Sequence, residues 1–184
     1  MKAVFWVAAA LIGIGGGSAL AGPQEDMARA IEAGVTHAYQ DERLEAEVEG
    51  CQMKTYRWRD LPEQGWVLWT VFQFDMADAS PREDKLRPGM KYAYSPLAKG
   101  PEGHGFAIIG FEMREGARVR QERSILRPPS GETQPSPRND GTTHYYEWLD
   151  EFIFAFEGPE LEPKVAGLVQ DYETYVKEYC TPRS

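Results

Sequence analysis

The chain has 184 residues, a formal net charge of −9 and two cysteines. That length suits one domain with a core large enough to fold unaided, and the acidity argues against a general affinity for nucleic acid or for anionic membrane surfaces, where like charges repel. Neither cysteine stands in a C-x-x-C spacing, no serine sits in a G-x-S-x-G elbow, and no phosphate loop or dinucleotide fingerprint follows a strand, so thiol-redox chemistry, that form of nucleophilic catalysis and nucleotide binding are all disfavoured.

Residues 1–21 begin with one positive charge at Lys2, run apolar from Ala3 to Ile14 and close on Ala19-Leu20-Ala21 before Gly22. This is the layout of a secretory signal peptide with a small-x-small cleavage site. Its apolar core of about a dozen residues falls short of the roughly 20 that span a bilayer. Cleavage after Ala21 is expected to leave residues 22–184 as a single domain, periplasmic or secreted, with no transmembrane segment. In such an oxidising compartment Cys51 and Cys180 are expected to form a disulfide.

Pro23 to about Gln40 has helical spacing, with Pro23 suited to a first turn, Glu25 and Asp26 at the positive end, and Met27, Ile31, Val35 and Ala38 recurring every three or four residues. The polar stretch DERLEAEVEG is read as a candidate extension of that helix before Gly50, and Gly34 weakens it. CQMKTYRWR (51–59) then alternates as a strand, DLPEQG (60–65) supplies a turn, and GWVLWTVFQFDM (65–76) forms the second arm of a hairpin. In this second arm strict alternation places Trp66, Leu68, Phe72, Phe74 and Met76 on one face and Val67, Trp69 and Val71 on the other. Both faces are apolar, so both need a cover.

Residues 77–104 hold four prolines and one short candidate strand near Met90–Tyr94, and are read as either a functional lid or a decoration. GFAIIGFEMREGARVRQERSIL (105–126) reads as a second hairpin turning at Glu115-Gly116, and RPPSGETQPSPRNDG (127–141) as an exposed loop. THYYEWLDEFIFAFEG (143–158) again alternates with two apolar faces, Trp148, Phe152, Phe154 and Phe156 against Leu149, Ile153 and Ala155. From Leu161 to Cys180, the stripe Leu161, Val165, Leu168, Val169, Tyr172, Val176 and Tyr179 marks the strongest helix. The order predicts an α+β fold: an antiparallel, curved sheet of five or six strands with N-terminal and C-terminal helices packed on one face.

The helices can cover one apolar sheet face, and the other needs the 77–104 excursion, a sheet curved on itself, a bound apolar ligand or a partner protein, of which the last two suggest a binding module. Trp66, Phe72, Phe74, Phe152 and Phe154 are its candidate lining, with Arg118 and Arg120, from a basic hairpin in an acidic chain, as candidate anion contacts. The occupant would be a lipid-like or other apolar small molecule, or a partner protein. Two other classes stay open: a hydrolase or isomerase with His104 or His144 as acid/base and Asp150 as its orienting group, and a structural subunit of an envelope assembly. The three histidines, His37, His104 and His144, lie in no recognised ligand spacing, so no metal and no cofactor are expected.

Overall fold

A computed structural model of the chain describes residues 22–97, 104–124, 132–135 and 143–180. The expected leader, residues 1–21, lies outside them. The α+β class, the antiparallel pairing and a helix at either end are as the sequence predicts. The described strands divide between two sheets and close no barrel.

Helix α1 (Pro23–Val35) starts with proline in its first turn beside Glu25 and Asp26 and buries Ala28, Ile31 and Val35. It ends earlier than the periodicity predicts. Past Thr36 the chain becomes strands β1 (His37–Tyr39) and β2 (Glu42–Glu49), so DERLEAEVEG is a strand and not a helical extension. Its Leu44, Ala46 and Val48 alternate with Arg43, Glu45 and Glu47, a period of two that an amphipathic helix would not bury on one side.

The larger sheet runs β1-β2-β3-β4-β8-β10-β9, where β3 is Gln52–Leu61, β4 Gly65–Asp75, β8 Val119–Ser124, β9 Glu132–Pro135 and β10 Thr143–Leu149. The smaller sheet is built on β7 (His104–Met113), which pairs with β11 (Glu151–Pro159) along one edge and with β5 (Ala79–Pro81) and β6 (Ala93–Pro96) in succession along the other. Helix α2 (Leu161–Tyr179) follows β11 and buries Leu161, Val165, Leu168, Val169, Tyr172 and Tyr175. The 77–104 excursion, as far as it is described, completes an edge of the smaller sheet. Of the polar run 127–141, Glu132–Pro135 is an edge strand rather than loop.

Two features of the chain path explain the strands with two apolar faces. The expected second hairpin is not one: beyond the turn at Glu115-Gly116, β7 and β8 belong to different sheets. Likewise 143–158 is two strands, broken at Asp150, whose carbonyl accepts from the Met113 N–H at 2.8 Å where the chain crosses back. Phe152, Phe154 and Phe156 therefore face inward from the smaller sheet while Trp148 points outward from the larger one, 58% exposed.

In β4 the cause is a register shift. Thr70 lies opposite Arg57 and Leu68 opposite Trp58, which leaves Trp69 as an extra residue. Neighbours on β3 face opposite sides, so this bulge reverses the alternation. Thr70, Phe72 and Phe74 face inward, while Trp66 and Leu68 share the outer face with Trp58.

The core lies where the inner faces of both sheets meet the helices. Phe111 stacks on Phe152 (ring centroids 4.8 Å apart, planes 4° from parallel), and Phe74, Phe154 and Tyr172 close around the pair at 4.6–6.3 Å. The buried Tyr172 hydroxyl reaches the carbonyls of Met76 and Ala79, at 3.1 and 3.0 Å. Cys51 and Cys180 are bonded, their Cα atoms 5.6 Å apart, and tie the end of α2 to the β2–β3 turn. Among the described residues no helix is long and apolar enough to cross a membrane.

Candidate functional site

Over part of its length the larger sheet meets neither helix nor smaller sheet closely, and a cleft opens there. Its walls are the inner face of β1–β4 and β8 and the unpaired edge of β11. Two adjoining hollows of about 270 and about 410 Å³ make it up, and they share Arg57, Phe72 and Ile153. The first runs along Ile153–Glu157 beneath Glu42, Leu44 and Arg59. The second lies over Trp69, Thr70, Gln121 and Arg123 and reaches Phe152.

One end is closed by β1. His37 Nε2 donates to the Glu157 carbonyl at 2.7 Å, so that nitrogen carries the proton, and the ring packs edge-on against Phe156. Burial, the largest influence, lowers the pKa of His37 below its ordinary value; the bond to Glu157 opposes this and the nearby Lys164 charge adds to it. Tyr39 Oη and His104 Nδ1 share a hydrogen bond of 3.2 Å behind this closure.

The floor is polar and unevenly charged. Arg57 and Arg59 share the carboxylate of Glu42, at 2.5 and 2.9 Å, so two guanidinium groups meet one acid. Arg59 also lies over the Trp69 ring at 5.7 Å. Arg123 has no acidic partner among the described residues. Gln121 is 3% exposed, and its covered Oε1 meets no hydrogen-bond donor among the described residues. A buried acceptor left in that state costs free energy unless something supplies a proton to it. The cleft thus offers the guanidinium groups of Arg57, Arg59 and Arg123 and the apolar edges of Phe72, Phe152 and Ile153, with Asp41 and Glu157 at its β1 end and Glu151, which pairs with Arg82, at the start of β11.

The candidate lining read from the sequence does not converge on one place. Phe72, Phe152 and Phe154 reach the cleft, though the rings of Phe152 and Phe154 are mostly sealed in the core. Phe74 is wholly core. Trp66 is on the outer face of the larger sheet, where the Arg43 guanidinium lies 5.3 Å from its ring and 5.1 Å from that of Trp58. Arg118 pairs with Asp150 at 3.3 Å, and Arg120 lies 3.8 Å over the Tyr146 ring, so both are away from the cleft. The outer apolar face is roofed by such long polar side chains, including Glu45, which accepts from Trp58 Nε1 at 3.2 Å.

The candidate acid/base groups are also apart. His144 is buried against Tyr146 and Glu122, at 3.1 and 3.4 Å, on the outer face. His104 starts β7 opposite Pro159, whereas Asp150 precedes β11, so the length of that strand separates them. Among the described residues no three or more His, Cys, Asp and Glu side chains gather as a metal would require. Comparison with protein-family models, curated proteins and solved structures finds no match to this chain.

Sequence reasoning passed over Arg57, Arg59 and Gln121. A signal was present: Thr55, Arg57 and Arg59 alternate onto the face that Met53 buries, and a charged residue on a buried face is unusual.

Proposed function

We propose that the protein is an exported binding module whose cleft, between β11 and the inner face of the larger sheet, takes an elongated amphipathic anion. Export is supported by the leader-like residues 1–21 together with the Cys51–Cys180 bond, which persists in oxidising compartments. The observation that carries the binding reading is the set of guanidinium groups on the wall facing β11, where Arg57 and Arg59 share one carboxylate and Arg123 has no acidic partner among the described residues. An occupant with a negative charge for the arginines and an apolar body for Phe72 and Ile153 would match both kinds of lining.

Anilinonaphthalene sulfonate, an apolar ring system carrying one anionic group, is a suitable probe. The native protein is expected to bind it at one site with enhanced emission, and Arg59→Ala and Arg123→Ala each to weaken that binding by about tenfold, the worth of one charge-assisted hydrogen bond. Trp148→Ala and Arg118→Ala, on the outside of the fold, should leave it unchanged. Binding that ignores the cleft variants and follows Trp148 would contradict the reading.

A further inference from the structure

We propose, building on the cleft reading above, that the occupant is an extended, acidic polypeptide segment of a partner protein, which adds to β11 as a further strand. Among the described residues β11 pairs with β7 alone, in register from Glu151↔Glu112 to Pro159↔His104. In an antiparallel ladder, successive residues turn their N–H and C=O alternately to one neighbour and the other. The Asp150 carbonyl is bonded on the β7 side and the Glu157 carbonyl on the other, to His37. Ile153 and Ala155 share the parity of Glu157, so their backbone donors and acceptors point into the cleft. No partner meets them among the described residues.

A free row of this kind templates strand addition, and proteins ordinarily blunt it with charge, proline or a covering element. Here the row instead forms one wall of a cleft, opposite the face that carries the arginines. The far wall, β1–β3, faces the row across the two hollows, so a second copy pairing β11 to β11 would have to bring its own sheet in between them. A single extended segment fits. Its backbone would meet Ile153 and Ala155, and its alternate side chains would point to the two walls.

Charge selects the side chains. On the wall facing β11, Arg57 and Arg59 hold only one carboxylate between them and Arg123 holds none among the described residues, while the other acids of the lining lie toward the ends, Asp41 and Glu157 at the His37 closure and Glu151 paired with Arg82 at the start of β11. An Asp or Glu of the segment would pair with them in a fork geometry. The neighbouring apolar positions would meet Phe72 and Ile153. His37 caps the row at Glu157, so the segment would extend from there toward Gln121 and Arg123.

The test is selection of dodecapeptides from a random phage-displayed library on the immobilised native protein, followed by calorimetry with the synthetic winners. Enriched sequences are expected to alternate apolar residues with Asp or Glu. N-methylation of alternate backbone nitrogens in the peptide should weaken binding by about tenfold for each ladder bond lost, while methylation in the other register leaves it nearly unchanged. Ala155→Pro removes one N–H from the cleft side and none from the β7 ladder, so circular dichroism should remain native while peptide affinity falls. The methylated peptides do not depend on that variant folding. No enrichment over a blank surface, or winners insensitive to methylation in both registers, overturns the proposal. Should that happen while anilinonaphthalene sulfonate still binds in the Arg59- and Arg123-dependent way, the cleft remains a binding site and only the polypeptide occupant is rejected. Self-association of the chain through β11, seen by sedimentation and abolished by Ala155→Pro, would also overturn it.

Discussion

At the scale of single residues, the cleft is defined by groups whose environment departs from what water would give them. His37 is the clearest. Its pKa is lowered on folding, so the unfolded chain takes up a proton at a higher pH than the folded one does. The associated stability is present above the ordinary histidine range and lost as pH falls from about 6.5 toward the lower folded value. Urea unfolding at a series of pH values should show this decline, and His37→Gln, whose amide can still donate to the Glu157 carbonyl, should flatten it. An unchanged slope in the variant would place the titration elsewhere. Gly105 illustrates a different constraint, since a Cβ there would lie 2.4 Å from the Tyr94 ring. Gly105→Ala should therefore displace Tyr94 and cost about 1–3 kcal/mol, measured as a shift of the urea midpoint.

At the scale of elements, what was legible in the chain and what was not follow from how local the cause is. Helix α2 was plain, because a stripe running from Leu161 to Tyr172 repeats over several turns and needs no knowledge of what it packs on. Strand β3 was equally plain from alternation. The errors lie where alternation is interrupted by something distant. A bulge at Trp69 depends on how β3 pairs, and nothing in GWVLWTVFQFDM announces it. The break at Asp150 depends on a carbonyl meeting Met113, across a sequence gap that no window spans. Both errors have the same effect, which is to merge an outward aromatic with inward ones. Trp66 was thereby joined to Phe72, and Trp148 to Phe152. The inward set carries the packing: Phe111→Ala should cost about 3–5 kcal/mol, because the ring touches Phe74, Phe152, Phe154 and Tyr172. Trp148→Ala should cost less than about 0.5 kcal/mol, as exposed substitutions do.

At the scale of the whole molecule, two crossings between sheets produce a fold with an internal seam. One part of the seam is filled by helices and aromatic rings, and the other is left open with arginines on its wall. The Cys51–Cys180 bond spans 129 residues and encloses both crossings. On the chain-entropy account, closing a loop of that length stabilises the folded state by about 5 kcal/mol. Reduction should lower stability toward that amount without abolishing the cleft, whose walls are bonded to each other through His37 and Glu157. The α+β class and the cysteine pair were readable from composition and spacing. The cleft was not, because Arg57 on β3, Gln121 on β8 and Ile153 on β11 come together only through pairings between distant strands.

The central claim is that ligand enters beside β11 and not on the outer aromatic face. Backbone and side-chain amide shifts, followed by nuclear magnetic resonance while anilinonaphthalene sulfonate is titrated into the native protein, test it most directly. The account predicts shifts concentrated on Ile153, Ala155, Glu157 and the Gln121 side chain, with Trp66 and Trp148 undisturbed. Shifts centred on Trp66 and Trp148, with the β11 amides unmoved, would contradict it.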